Sequence, residues 1–188
     1  MRGPFPPLDD LALARRVLES YAPSDDGQRA VRERVLAFVD AHPTDAHRRT
    51  CLEGHLTAAT LLLDHACERA LLTFHRKLGR WLQIGGHCDG DANLPGVALR
   101  EASEESGIAG IEIDPTPIDL DLHAIPARPG EPEHLHLDVR FLARAPRGAV
   151  ARIGPESLDL RWFAPHELAA VDVDASVLRL FRVAFGPA

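Results

Sequence analysis

No run of about 18 apolar residues occurs in this chain, so nothing in it reads as a membrane-spanning helix. Its start, MRGPFPPLDD, also lacks the apolar region of a signal peptide. Cysteine is scarce: Cys51, Cys67 and Cys88 form neither a CxxC motif nor a paired disulfide framework, and a reducing cytoplasm is the simplest compartment. Positive charge is short as well. The 21 Lys and Arg face 28 Asp and Glu, and the formal net charge of -7 disfavours nonspecific nucleic-acid binding, which needs cations to neutralise phosphate. Internal repeats and low-complexity tracts are missing too. What is present is 188 residues with 45% hydrophobic content, enough to bury a substantial core in one domain with an appended element.

The chain divides near residue 50. Leu11, Ala14, Val17, Leu18 and Tyr21 follow a helical period, and after the YAPSDDG break Val31, Val35, Phe38 and Val39 do so again. Asp25 and Gln28 resemble a capping-box start to the second helix, and Pro43 fits its end. Residues 1–50 thus form an N-terminal helical extension that can pack on the rest, join a homodimer or cover a site; two apolar faces to bury favour packing. Residues 51–188 change to short strands at 56–64, 70–75 and 81–84, a helix, then strands at 118–125, 135–143 and 158–163 and a last helix at 176–185. Mixed strands with helices on both sides make an α/β class.

The densest chemistry lies in residues 86–108, GHCDGDANLPGVALREASEESGI. Glu101, Glu104 and Glu105 stand three and four residues apart, which puts them on one helix face. Leu94, Val97 and Ala98 share that stripe, so an inward-facing surface turns from apolar to acidic; a merely solvated acidic face would lie opposite the apolar one. Three converging carboxylates suit a hard divalent cation such as Mg2+. Asn93 can cap this helix, Pro95 is tolerated in its first turn and Gly107 can end it.

These residues resemble the box of the Nudix hydrolase family: Gly86, Arg100, Glu101, Ala102, Glu104, Glu105, Gly107 and Ile108 fall on its pattern in register. One position departs, since the first Glu of the box is Ala92 here; Asp89 and Asp91 lie close enough in the loop to substitute in part. The resemblance implies a Nudix-type α/β/α sandwich with a mixed sheet, and hydrolysis of a diphosphate linked to another group, usually in a nucleoside diphosphate derivative. It implies Mg2+, or Mn2+ in its place, held by Glu101, Glu104 and Glu105, with Arg100 as an orienting ion-pair partner. The metal would activate a water for in-line attack at phosphorus. Glu156, in a loop before a late strand, is a candidate further acid by the same resemblance, against an exposed loop acid. Gly85 and Gly86 are expected to form a turn where a side chain would obstruct phosphates or the loop itself.

A second constellation is HLHLDVRF. His134, His136, Asp138 and Arg140 alternate with Leu135, Leu137, Val139 and Phe141, so the polar set shares one strand face and the apolar set the other. That polar face is either solvated or a substrate and metal-side wall, in which case His134, His136 and Asp138 face the same cavity as the acids. Trp81, Trp162 and Phe163 could stack a base but read as core. His87 next to Cys88 raises zinc or nucleophilic chemistry, yet a single Cys–His dipeptide without a second ligand pair reads as ordinary loop.

Three functions compete on these residues: a pyrophosphohydrolase acting on a small-molecule diphosphate, an isomerase of diphosphates on the same fold with Cys88 as its cysteine, and a noncatalytic ligand sensor using residues 1–50 as a DNA-binding helix pair. The intact Arg-Glu and Glu-Glu pairs favour the first. The second lacks a supporting motif, and the third lacks basic character in its helices.

Overall fold

The computed structural model describes residues 5–154 and 157–186. Glu156 lies outside the described residues. Helix α1 spans Leu11–Ser20, where the Asp10 carboxylate accepts the Ala12 N–H at 3.0 Å. Helix α2 spans Asp26–Ala41, and Asp25 accepts the Gln28 N–H at 2.8 Å. The expected capping box is only half made. Gln28 turns its amide inward, where its Oε1 accepts from the Tyr21 hydroxyl at 2.8 Å and from the Leu120 N–H at 3.4 Å. That side chain therefore joins the two helices to the sheet instead of closing its own helix end.

Eight strands among the described residues form one sheet: β1 (Gly54–Leu63), β2 (Ala70–His75), β3 (Trp81–Leu82), β4 (Ile84–His87), β5 (Glu112–Ile113), β6 (Asp119–Ile125), β7 (His134–Arg144) and β8 (Ser157–Phe163). Helix α3 (Leu94–Ser106) follows β4, and a 3-10 turn at Pro165–Ala170 precedes α4 (Ala175–Phe185). The longer strands match the sequence pattern to within two residues. The stretch expected as one strand at 81–84 is instead two, because β3 pairs with β2 while β4 pairs with β1. Among the described residues no helix is long and apolar enough to cross a membrane.

Strand β1 is the centre, buried along its whole length. It runs parallel to β7 from Gly54 opposite Leu135 to Leu63 opposite Arg144. Its other edge is shared, with β4 beside Thr57–Thr60 and β2 beside Leu62 and Leu63. On one face Leu56, Ala58, Leu137, Val139 and Phe141 pack with Leu18, Val35, Val39 and Val97 of the three preceding helices. On the other, Leu61, Leu63, Leu72 and Phe163 pack with Val177, Leu180 and Phe181 of α4. Mixed strands between two helical layers make the α/β/α sandwich, and the extension is part of its core.

The α4 face also carries three polar rungs, since register aligns residues across β6, β7, β1 and β4. The first is His123, His136 and His55; the second Asp121, Asp138, Thr57 and His87; the third Asp119, Arg140, Ala59 and Gly85. Arg140 is 2% exposed and holds this face together. Its guanidinium donates to Asp138 at 2.7 Å and Asp119 at 3.2 Å, and lies 3.4 Å from Asp121. Arg179 of α4 adds bonds of 2.6 and 2.9 Å to Asp119 and 2.8 Å to Asp121. Burial raises Asp119 even so, whereas Asp121 is held far below the carboxylate range against its burial by His123 and the two guanidinium groups.

Removing one partner from such a buried cluster leaves uncompensated charge, a loss of about 3–5 kcal/mol in other proteins. Arg140→Met is therefore expected to lower the unfolding free energy by about that amount in urea titrations, and Arg179→Met, on a partly exposed side chain, by less. Equal stability of Arg140→Met and the parent would show that the cluster contributes no net stability.

Candidate active site

Helix α3 carries the acids. Pro95 sits in its first turn, and Gly107 ends it at φ 66°. Asn93 is at the N-cap position but makes no side-chain cap bond; its amide donates to the Pro6 carbonyl at 2.9 Å, so the expected cap is an anchor for the N-terminal segment. Leu94, Val97 and Ala98 are buried and the stripe opens outward, with Glu101 and Glu105 half-buried and Glu104 exposed. Burial raises the Glu101 carboxyl above its usual range, against the pull of Arg100. Arg100 donates to Glu101 at 3.0 Å and to the His87 carbonyl at 3.1 Å, an ion pair beside the acids.

Gly85 and Gly86 lie within strand β4 and not in the turn expected of them. Their smallness serves close approach. A Cβ on Gly86 would come within 2.3 Å of Glu101 Oε2, and one on Gly85 within 2.5 Å of Ala59 Cβ. The Gly85 N–H donates to Glu105 Oε1 at 3.3 Å. Strand β4 thus fixes two of the three carboxylates through absent side chains and one backbone donor.

A cavity of about 550 Å³ opens beside the acids, and its lining brings Glu101, Glu104 and Glu105 together with His134, His136 and Asp138. The polar face of β7 is therefore a wall of the same cavity and not a solvated face. Asp138 is nevertheless occupied: it accepts from Thr57 at 3.0 Å, Gln83 at 3.3 Å and Arg140 at 2.7 Å. Its role is to hold the wall in place, and an anion would gain nothing from it. His136 is pushed down to about 2 by burial and neighbouring imidazoles, and His87 to about 4 by burial first and then the Arg49 charge. Both are neutral at physiological pH, so a phosphate would not find cations in them. Arg49, Lys77 and Arg128 line the cavity instead. Sequence reading passed over these three; the basic hairpin HRKLGR at 75–80 was the available signal for one of them.

Cys88 is 1% exposed within the core, and burial pushes its thiol far up, which removes it as a nucleophile. Trp81 packs edge-on against Phe163 at 4.8 Å, a core contact. Ala92, where the resemblance leads one to expect an acid, is 0% exposed in the same cluster as Ala14 and Leu18. Its N–H donates to the Leu8 carbonyl at 2.6 Å. Asp91 accepts from the Leu8 N–H at 3.0 Å and the Asn93 N–H at 2.9 Å, with its second oxygen 3.9 Å from Arg100. Asp89 is paired with Arg49 at 2.7 and 2.9 Å. Of the two loop aspartates, Asp91 is the one that reaches Arg100, 3.9 Å away, and it also ties the extension to the box loop.

The NUDIX domain model matches residues 54–181 of the chain. None of the curated proteins matches it. Among solved structures, a NUDIX-family hydrolase from Clostridium perfringens is similar at a TM-score of 0.57 and 21% identity, over 69% of this chain and 95% of that one. An Ap4A hydrolase from C. elegans is similar at 0.56 and 17%, over 68% and 93%. The NUDIX domain of Shewanella oneidensis NrtR, solved with ADP ribose, is similar at 0.52 and 18%, over 81% and 95%. At these identities the likeness is one of fold.

Because position 92 is sealed under the N-terminal segment, restoring an acid there buries an unpaired charge. Ala92→Glu is expected to destabilise the fold by about 3 kcal/mol or more, seen as a lower urea midpoint. Unchanged stability with faster turnover would show instead that the site lacks an acid it could use.

Proposed function

Because this chain belongs to the Nudix family of phosphoanhydride hydrolases, we propose that it is a Mg2+-dependent pyrophosphohydrolase acting on a small-molecule nucleoside diphosphate derivative, with Mn2+ able to replace Mg2+. The observation that carries this reading is the convergence of Glu101, Glu104 and Glu105 on one cavity that also presents Arg49, Lys77 and Arg128. Carboxylate oxygens are the donors a hard cation prefers, and the bare Cα of Gly86 clears the space that the Glu101 carboxylate fills. The three acids would hold the ion. When bound, it supplies charge against phosphate oxygens and a water of lowered pKa.

The chain's own groups supply the positioning. Arg100 holds Glu101 and the Gly85 N–H holds Glu105, so two carboxylates arrive pre-oriented. Lys77 and Arg128 offer charge to a substrate whose phosphates are anionic, which the overall balance of -7 would otherwise repel, while Arg49 is engaged by Asp89. The isomerase reading is disfavoured by the buried Cys88. A sensor reading is disfavoured by the intact acids and by helices α1 and α2, whose apolar faces lie in the domain core. Three free cysteines fit a reducing cytoplasm.

A library of diphosphate compounds with Mg2+ or Mn2+, followed by phosphorus NMR of the products, tests the activity. Glu104→Gln and Glu105→Gln are each expected to lower turnover at least about a hundredfold with the fold intact by circular dichroism, since each removes a charge without changing shape. Near-parental rates in both would remove these residues from the metal site.

A further inference from the structure

The histidines of the cavity wall have no assigned part in the hydrolysis proposed above. His55, His87 and His136 form a near-equilateral triangle, with ring centroids 5.2, 4.9 and 5.0 Å apart. One nitrogen from each lies within 4.8 Å of the other two. The three come from β1, β4 and β7: His55 and His136 face each other across the parallel pair, and His87 stands opposite Thr57 one rung along. They are fixed by the sheet and not by a loop.

His55 is the telling member. It is 3% exposed, and neither of its ring nitrogens has a hydrogen-bond partner among the described residues. The Cys51 backbone engages the ring from one side, outside good hydrogen-bond geometry. Leaving a buried polar atom unpaired costs about 1–3 kcal/mol, so the other ring nitrogen calls for a ligand. A fourth imidazole stands alongside: His134 is 5.0 Å from His55 and 5.2 Å from His136. Its Nδ1 bonds the Pro132 carbonyl at 2.9 Å, and because a carbonyl only accepts, that nitrogen carries the proton. When the ring is neutral its Nε2 offers a lone pair; this atom is buried without a hydrogen-bond partner, 3.8 Å from Glu131 Oε1.

We propose that His55, His87 and His136 bind a borderline transition-metal ion, Zn2+ above all, forming a second metal centre in the wall of the cavity that holds the acid cluster. Imidazole nitrogen suits Zn2+, as carboxylate oxygen suits Mg2+, so the two donor sets select different ions. Zn–N bonds of about 2.0–2.1 Å require the three nitrogens to close from within 4.8 Å to roughly 3.3 Å of one another. Three protein ligands leave a fourth position open, as in catalytic zinc sites. His87 and His136 both line the cavity, so that position faces it and is accessible to a water or to an oxygen of the substrate.

The site does not depend on the hydrolase assignment, and its test reads binding. Full-length untagged protein is stripped of metal with a chelator, returned to buffer containing excess Mg2+ to occupy the acids, and titrated with Zn2+ against a chromophoric chelator. A parallel titration with Co2+ follows the visible bands that tetrahedral nitrogen coordination gives. One equivalent of Zn2+ is expected. His87→Ala and His136→Ala should each weaken it at least about a hundredfold and abolish the Co2+ bands, a loss at or beyond that of removing a supporting residue. Glu104→Gln should keep both. So should Cys51→Ser, which removes the other candidate cluster, His42, Asp45 and Cys51. Should His136→Ala fail to fold by circular dichroism, His87→Gln, at the half-buried edge position, decides the matter. Absence of binding, retention of it in the His87 variants, or its loss in Glu104→Gln or Cys51→Ser would overturn the proposal.

Discussion

The parallel register of β1 on β7 is the constraint from which the rest of the cavity follows. Side chains alternate along a strand, so a slip of one residue would exchange the faces of an entire strand. With Gly54 opposite Leu135, the polar residues of both strands fall on the same face, and so do their apolar neighbours. Strands β6 and β4 then extend the polar rows on either side. Farther along the same face the rows turn apolar at Leu61 and Leu142, where α4 covers them. The sheet is thus a cavity wall at one end and a core at the other, and Arg140 stands at the boundary. Three aspartates around it would repel one another if it were absent, and the second guanidinium, from α4, couples the helix that closes the core to the rows that line the cavity.

The acid cluster rests on a different device. Here the sheet supplies absence of bulk, since β4 passes the acidic helix with two glycines and lets one carboxylate lie against the strand. The N-terminal extension enters the same arrangement from the other side. Its Leu8 bonds Ala92 and Asp91 through both backbone polar groups, and Asp91 in turn reaches toward Arg100, which holds Glu101. A chain of contacts therefore runs from the extension to the acid cluster, and Ala92 lies within the packing between them.

Much of this was legible in the sequence because the signals are local. The acidic helix, its proline and its terminal glycine lie within one stretch, and the strand periods of β2, β6 and β7 are carried by consecutive residues. The register that lets His55 meet His136 is not local, for it depends on pairing residues 81 positions apart. His55 gave no sign of its own, being a single histidine in an apolar strand. The dipeptide of His87 and Cys88 suggested metal chemistry by adjacency, but alternation sends Cys88 into the core and only His87 to the cavity. Side-chain competition was equally hidden. Asn93, Gln28 and Asp138 have the right types for a cap, a capping box and a substrate contact, and each is claimed by a partner distant in sequence: Pro6, Leu120 and Thr57.

Two clusters of potential ligands in one cavity would compete for ions unless chemistry separated them. The acids offer only oxygen, with one carboxylate exposed, and suit a cation that retains much of its water. The histidines offer only nitrogen, in a buried setting that keeps them uncharged and so leaves their lone pairs available. The same neutrality means that they cannot serve as the cations a diphosphate needs. The cations of the cavity lining are Arg49, Lys77 and Arg128, whose exposed side chains reach it from three segments outside its regular strands, Arg49 there paired with Asp89. The sheet and helix α3 therefore carry the groups whose geometry must be exact to about an ångström, and the segments around them carry charges whose attraction tolerates movement.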